Sequence, residues 1–310
     1  MIKILNIVVV VALLAGCKER DKKFLTTPTS GTINITADEA LKPIIDAEIA
    51  SFEGNYKKVH VNVTYMSEGE AIESMLNDSS VMAIVTRHLL PDEQAVLTNL
   101  TIKGRQFRVA KGGIALIVNR QNPDTLMQVS DLKKILSGEI KTWNNINKSY
   151  PPLGMEVVFD QPNSGIIRFL KDSLLAFNEL PPTCFALKSN PAVVEYVKQK
   201  PQAMGVIDLS WISDRDDSTA NSFLNSVRVM GLSIAADSSY YQPFQAYIAT
   251  KQYPLLRDIV MISRETYTGL ASGFMSFVGG QKGQRIVLKA GLVPATMPVR
   301  IVEVNRKPLY

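Results

Sequence analysis

The spacing of apolar residues changes repeatedly along this chain. "TINIT" (32–36) is a short β-rich run, after which Leu41, Ile44, Ile45, Ile49 and Phe52 recur at helical spacing. "VHVNVTY" (59–65) then alternates with period two, and "AIESMLND" is helical again. "VMAIVT" (81–86) is a continuous apolar run of the kind found in a strand buried on both faces. This β-α-β-α-β order predicts an α/β domain with a mainly parallel sheet covered by helices. Ligands of such sheets sit outside the carboxyl ends of the strands, beside helix N-termini.

Beyond residue 90 the pattern gives a helix over "LPDEQAVLTNL", strands over "RQFRVA" and "GIALIVN" (113–119), and the turn "RQNPDT". A second alternating series follows: helix "VSDLKKILSG", strand "MEVVFD", helix "SGIIRFLKDSLLAF", helix "NPAVVEYVKQK" and strand "AMGVIDLS". "NSVRVMGLSI" is a further strand candidate. The last stretch offers "FQAYIAT" and then a long helix-like segment, "PLLRDIVMISRETYTGLASGFMSFVGGQKGQRIVLKAG". Two series joined near residue 119, with a late segment returning to the first, predict two lobes and a cleft between them. Lobe 1 is expected over residues 31–118 plus 238–310, and lobe 2 over residues 119–237.

The N-terminus changes this picture. Lys3 precedes the apolar run "ILNIVVVVALLAG", which ends at Cys17 and is followed by "KERDKK". A positive start, a short apolar core and a small-residue end describe a secretory signal, and the core is short for a membrane span of about 20 residues. "LLAGC" resembles the lipobox of bacterial lipoproteins. By that resemblance residues 1–16 are a signal peptide, Cys17 carries lipid, and the chain is extracytoplasmic and tied to a bacterial membrane. Residues 17–30 read as a lipidated polar tether with no apolar periodicity to pack. Only Cys184 then remains, so no internal disulfide is available and a core must supply the stability.

The charge of +5 and pI near 9.0 are mild for this length, and Lys and Arg are scattered rather than blocked. That argues against a nucleic-acid partner. His60 and His88 are the only histidines, far apart and without a metal-ligand spacing, so no metal is expected. A Ser-His-Asp triad has few possible members, and "NSG" is not a nucleophile elbow. The chain is therefore read as a non-enzyme without a cofactor. Trp143, Trp211, Tyr240 and Tyr241 are available to line a cleft, although packing is the commoner use.

The stretch with the most chemistry is "VVFDQPNSGIIRFL" (157–170), a strand-to-helix corner carrying Asn163, Ser164 and Gly165 with Asp160 at its mouth. A helix start presents unpaired N–H groups and roughly half a positive charge, so Ser164, Gly165 and Ile166 are suited to an oxyanion. The carboxylate is the anomaly.

Several motifs in order resemble the phosphate-binding proteins of bacterial phosphate ABC importers: "GIALIVNRQNP", "DLKKILSGEIKTWNNI" with Gly138 and Trp143, "AMGVIDLSWI" and "GQRIVLKAGLVPA". The likeness covers nearly all of residues 31–300. It implies the two-lobed type 2 periplasmic-binding-protein fold, each lobe a mixed, mainly parallel sheet flanked by helices. It also implies four ligand loops. The first corresponds to Ala37, Asp38, Glu39 and Ala40, where the family's hydroxyls are missing. The second is "MSEGEAI", in which Ser67 and Gly69 match in type and Glu68 intrudes. The third is Thr86-Arg87, with the family's Ser/Thr-Arg pattern kept. In the fourth, Asp160 stands where the family has arginine, ahead of Ser164, Gly165 and Ile166. Exchanging a bidentate cation for an anion removes a bond worth about 1.5–3 kcal/mol and adds repulsion. Arg87 is the expected replacement cation.

The implied function is capture of inorganic phosphate, or a related oxyanion, in an inter-lobe cleft that closes about hinges near residues 119 and 238. A monomer would then deliver the ion to a membrane permease. The carboxylates motivate an alternative: the same fold with a different ligand, acting as sensor or adhesin. Individual residues also have plain structural readings, Ser164 and Asn163 as helix caps, Arg87 as an ion pair, and Asp38 and Glu39 as complements to a helix dipole.

Overall fold

The computed structural model describes residues 26–176, 179–235 and 238–299. The expected signal peptide and Cys17 lie outside them. Residues 26–30, read above as the end of a polar tether, are docked: Thr27 and Ser30 form a β-bridge, and Thr26 Oγ1 accepts the Leu270 amide at 2.9 Å.

The strands are β1 (Ser30–Asp38), β2 (Lys58–Met66), β3 (Met82–Val85), β4 (Arg105–Asn119), β5 (Leu126–Gln128), β6 (Glu156–Phe159), β7 (Cys184–Ala186), β8 (Ala203–Asp208), β9 (Val227–Val229), β10 (Gly231–Ser233), β11 (Leu256–Ser263) and β12 (Val293–Pro294). The helices are α1 (Lys42–Asn55), α2 (Glu68–Leu76), α3 (Pro91–Asn99), α4 (Val129–Leu136), α5 (Gly165–Leu170), α6 (Asn190–Gln199), α7 (Ser218–Ser226), α8 (Gln245–Ala249), α9 (Leu270–Gly279) and α10 (Gln281–Lys289). A π-helical turn, Lys171–Leu175, extends α5.

One mixed sheet runs in the order β2-β1-β3-β11-β4-β8-β6-β7, with β9 and β12 also on β4. Its outer neighbours are parallel, β1 with β2 and β3, and β6 with β7 and β8. The central strands β11, β4 and β8 are antiparallel to their neighbours across β4. β5 and β10 form a separate parallel pair.

β4 is the continuous element. Over 15 residues, about 50 Å of extended chain, Arg105–Gly113 pairs with β11 and Ile114–Val118 pairs with β8. "RQFRVA" and "GIALIVN" are thus one strand rather than two. At the change of partner, the Ile114 amide donates to Leu255 and the Tyr253 hydroxyl donates to the Ile114 carbonyl, at 2.9 and 2.6 Å. A Cβ on Gly113 would lie 2.9 Å from the Leu255 carbonyl oxygen, so only glycine fits this crossing.

The long helix-like reading of the last stretch needs correction at its start, because Leu256–Ser263 is strand β11. It lies between β3 and β4 with both faces covered, and such an apolar run carries no alternation to separate it from a buried helix. "FQAYIAT" contains the short helix α8. α9 and α10 do follow, and Phe52 of α1 packs on Phe274 and Phe277 of α9 with ring centroids 5.2 Å apart. The main core runs under both halves of β4, and a smaller cluster sits among Ile72, Met75, Val85, Leu97 and Ile262. Among the described residues, no helix is long and apolar enough to cross a membrane.

Candidate functional site

The carboxyl ends of β1, β3, β6 and β8 bring Asp38, Thr86, Asp160 and Asp208 to one region, as the geometry of parallel strands requires. All four are buried. Asp38 ends β1 and caps the following 3-10 turn, its Oδ1 accepting the Ala40 amide at 3.1 Å. Its Oδ2 is buried without a partner. Burial pushes the Asp38 carboxyl well above the usual range; Arg257 pulls it down, while Asp160 and Glu68 push it further up. Glu39 beside it is raised to about 7, chiefly by burial, against a hydrogen bond from Asn190. The Ala40 carbonyl accepts from Ser210 Oγ at 3.2 Å and from Trp211 Nε1 at 3.0 Å.

Ser67 opens α2 with a capping box. Both its amide and its hydroxyl donate to Glu70, at 3.0 and 2.7 Å. Glu68, 2% exposed, points inward. Its Oε2 accepts the Thr86 amide at 2.9 Å and the Thr86 hydroxyl, and its Oε1 accepts Arg168 Nε. Burial raises this carboxyl, but Arg168 and the Thr86 donors together outweigh it and hold it below the ordinary value.

Arg87 is not the free cation expected from the sequence. Its guanidinium forks onto Glu93 of α3 at 2.6 and 2.7 Å, and its Nε lies 3.5 Å from Glu68 without a hydrogen bond. Glu93 is the third residue of α3, where its carboxylate also accepts the Leu90 amide at 2.8 Å.

From the part of the sheet beyond β8, at the end of β6, comes the corner at 157–170. Ser164 is the N-cap of α5, its Oγ accepting the Ile167 amide at 3.3 Å, and Asn163 is exposed beside it. Ser164, Gly165 and Ile166 are buried. A Cβ on Gly165 would lie 2.6 Å from Asp38 Oδ2, 2.8 Å from Glu68 Oε2 and 2.9 Å from Thr86 Oγ1. The helix start is therefore pressed against the ends of β1, α2 and β3, an arrangement its partial positive charge favours. Asp160 is fully buried, with Oδ1 unpartnered and its carboxyl raised by burial against a hydrogen bond from Ser164.

Four residues missed in the sequence complete the site. Asn190, at the start of α6, donates to Glu39 at 2.8 Å and to Asp160 at 3.4 Å, and accepts the Asp208 amide at 3.1 Å. Arg257 of β11 donates through Nε and Nη2 to Asp208 Oδ2 at 3.1 and 2.6 Å, while its Nη1 is buried without a partner. Arg168 ties α5 to Glu68 and Asp172. Asp208 was findable, since it ends a buried apolar run as Asp160 does. Arg257 was not, because its segment read as helix.

A cavity of ≈ 330 Å³ opens on this region, lined by Glu68, Arg87, Asn163, Ser164 and Arg168 among others. A larger one of ≈ 550 Å³ lies elsewhere, between Lys42, Trp211 and Lys289. Trp143 is fully buried against Tyr150 and Tyr241 packs on Tyr247, whereas Trp211 stacks on Phe223 at the wall of the larger cavity and Tyr240 is exposed. His60 lies 3.2 Å from Glu53 and the His88 ring bonds Gln106. Among the described residues, no His/Cys/Asp/Glu group suited to a metal is found.

The model of the PBP superfamily domain matches residues 24–281. The Phosphate-binding protein PstS of Borreliella burgdorferi is 25% identical over 294 residues, covering 91% of this chain and 94% of that protein. The protein of the same name from Staphylococcus saprophyticus is 22% identical, covering 80% and 75%. Among solved structures, a Clostridium perfringens protein described as a phosphate ABC transporter substrate-binding protein with bound phosphate superposes with a TM-score of 0.73 at 19% identity, covering 86% of this chain and all of that one. An ABC-type phosphate transport receptor of Vibrio cholerae gives 0.64 at 19% identity, with coverage of 86% and 100%. At these identities the solved structures establish the type 2 periplasmic-binding fold, and the family match spans most of the sequence. The chain thus belongs to the PBP superfamily, as a divergent relative of its phosphate-binding proteins.

Proposed function

We propose that this protein is an extracytoplasmic solute-binding protein that captures inorganic phosphate, or a related oxyanion, in the cleft at Gly165 and hands it to an ABC importer permease. The observation that carries the reading is the buried first turn of α5, Ser164-Gly165-Ile166, packed against Thr86 near a buried Arg257 whose Nη1 is unpartnered. Oriented amides and one guanidinium edge suit a dehydrated oxyanion and call for no chemistry on it. Opening would pivot where β4 changes partner, at Gly113-Ile114, and where Leu255 recrosses, both of them single-strand connections. Lipid on Cys17 would hold the protein at the membrane. Calorimetric titration of the purified protein with phosphate tests the assignment. Saturable heat at micromolar ligand is expected, and no heat at millimolar phosphate contradicts it.

One observation favours a second reading, in which the fold is kept and the ligand differs. Asp38, Glu39, Glu68, Glu93, Asp160 and Asp208 gather around Arg87, Arg168 and Arg257, so acids outnumber cations. Binding of another solute, with phosphate ignored, would select the sensor or adhesin role.

A further inference from the structure

We infer that Glu68 is a resident anion: its carboxylate holds the donors of the oxyanion site, so that an incoming oxyanion must displace this side chain and Glu68 sets the affinity. The inference deepens the reading of this region as an oxyanion site and rests on it.

A carboxylate and an inorganic oxyanion ask the same of a protein, N–H and O–H donors and positive charge around oxygens that accept. Glu68 has all of these. Its Oε2 accepts both the amide and the hydroxyl of Thr86, and its Oε1 accepts Nε of Arg168. The donors come from separate places, Thr86 from just after β3 and Arg168 from α5, in the part of the sheet beyond β8. A Cβ on Gly165 would stand 2.8 Å from Glu68 Oε2, so the carboxylate fills the space against the start of α5. Burial raises this carboxyl, but Arg168 and the Thr86 donors hold it below the ordinary value, and the group in that space is an anion at neutral pH.

A purely structural ion pair would leave no donor waiting. Here Arg87 Nε is buried without a partner, 3.5 Å from Glu68 Oε1, while the other two nitrogens of Arg87 are fixed on Glu93. Two carboxylate oxygens serve Thr86 and Arg168 and stop there, whereas an ion with four oxygens has acceptors left for Nε. Replacing one anion by another keeps a counter-charge beside both guanidinium groups, so no buried cation is stranded by the exchange. The neighbouring acids are engaged elsewhere: Glu70 in the capping box with Ser67, Glu93 with Arg87 and the Leu90 amide, and Asp172 with Arg168 Nη1. Glu68 lines the cavity of ≈ 330 Å³ together with Arg87, Ser164 and Arg168, which gives the displaced side chain room. A competitor tethered to its own site acts at an effective concentration of about millimolar or more, and free phosphate binds against it.

Calorimetric titration of E68A with inorganic phosphate at pH 7, beside the parent, tests this. The variant should bind about tenfold more tightly or better, because the tethered competitor is gone. Its melting temperature without ligand should fall, since the Thr86 and Arg168 donors lose their acceptor, and phosphate should raise it further than it raises that of the parent. E68Q keeps the volume and removes the charge; it should also bind more tightly than the parent, and it carries the test if E68A does not fold. Affinity in the variants equal to or below that of a parent that binds phosphate overturns the inference and leaves the phosphate reading intact. Binding by the variants alone upholds the inference and overturns the phosphate reading of the chain as it stands. No binding by any of the three overturns both.

Discussion

Glu48 sits on the inner face of α1, 1% exposed, with neither carboxylate oxygen partnered. Burial alone pushes its carboxyl from 4.5 to about 9. In that window the folded chain keeps a proton that the unfolded chain releases, so stability is greatest at the acid end and falls as pH rises, by up to about 1.4 kcal/mol per unit. The same desolvation acts on Asp38 and Asp160, but there the Arg257 charge opposes it, whereas nothing opposes it at Glu48. Glu48→Gln removes the titration. The variant should be more stable than the parent at pH 8, with the gap shrinking toward pH 5, as read from urea midpoints at the two pH values. Equal midpoints at both would show that Glu48 is solvated.

At the scale of elements, β4 and β11 decide the architecture. Arg257 of β11 and Asp208 of β8 form a buried ion pair across the change of partner along β4. Arg257→Met leaves Asp208 charged and unpaired, a loss of about 3–5 kcal/mol. R257M/D208L, which buries no charge, should recover most of it, and thermal melts of the three proteins distinguish the outcomes. These elements also show which parts of the chain were readable as sequence. β1, α1, β2, α2 and β3 were legible because each shows a clean period or an unbroken apolar run between turn residues. β11 was not, because a strand covered on both faces has no alternation, and with it went Arg257. The corner at Ser164 was legible from its turn chemistry alone. The role of Arg87 was not, because its partner Glu93 lies one helical turn into α3 and the pairing is set by the capping of that helix. The carboxylates at Asp38, Glu68 and Asp160 were picked out as anomalies, and the structure turns all three inward.

For the whole molecule, one sheet continuous through β4 places two sets of strand ends face to face, and Gly165 is packed tightly between them. The three oxygens around it come from β1, α2 and β3, so a methyl group there would hold the facing halves apart. Overpacking of this kind costs about 1–3 kcal/mol, and it should fall on the closed, ligand-holding state. The most direct measurement is therefore the phosphate affinity of Gly165→Ala beside that of the parent, at pH 6 and with matched melting temperatures. A loss of about tenfold or more, equivalent to about 1.4 kcal/mol, is the expected result. Equal affinities would mean that phosphate binds away from this cleft, and would contradict the proposed site.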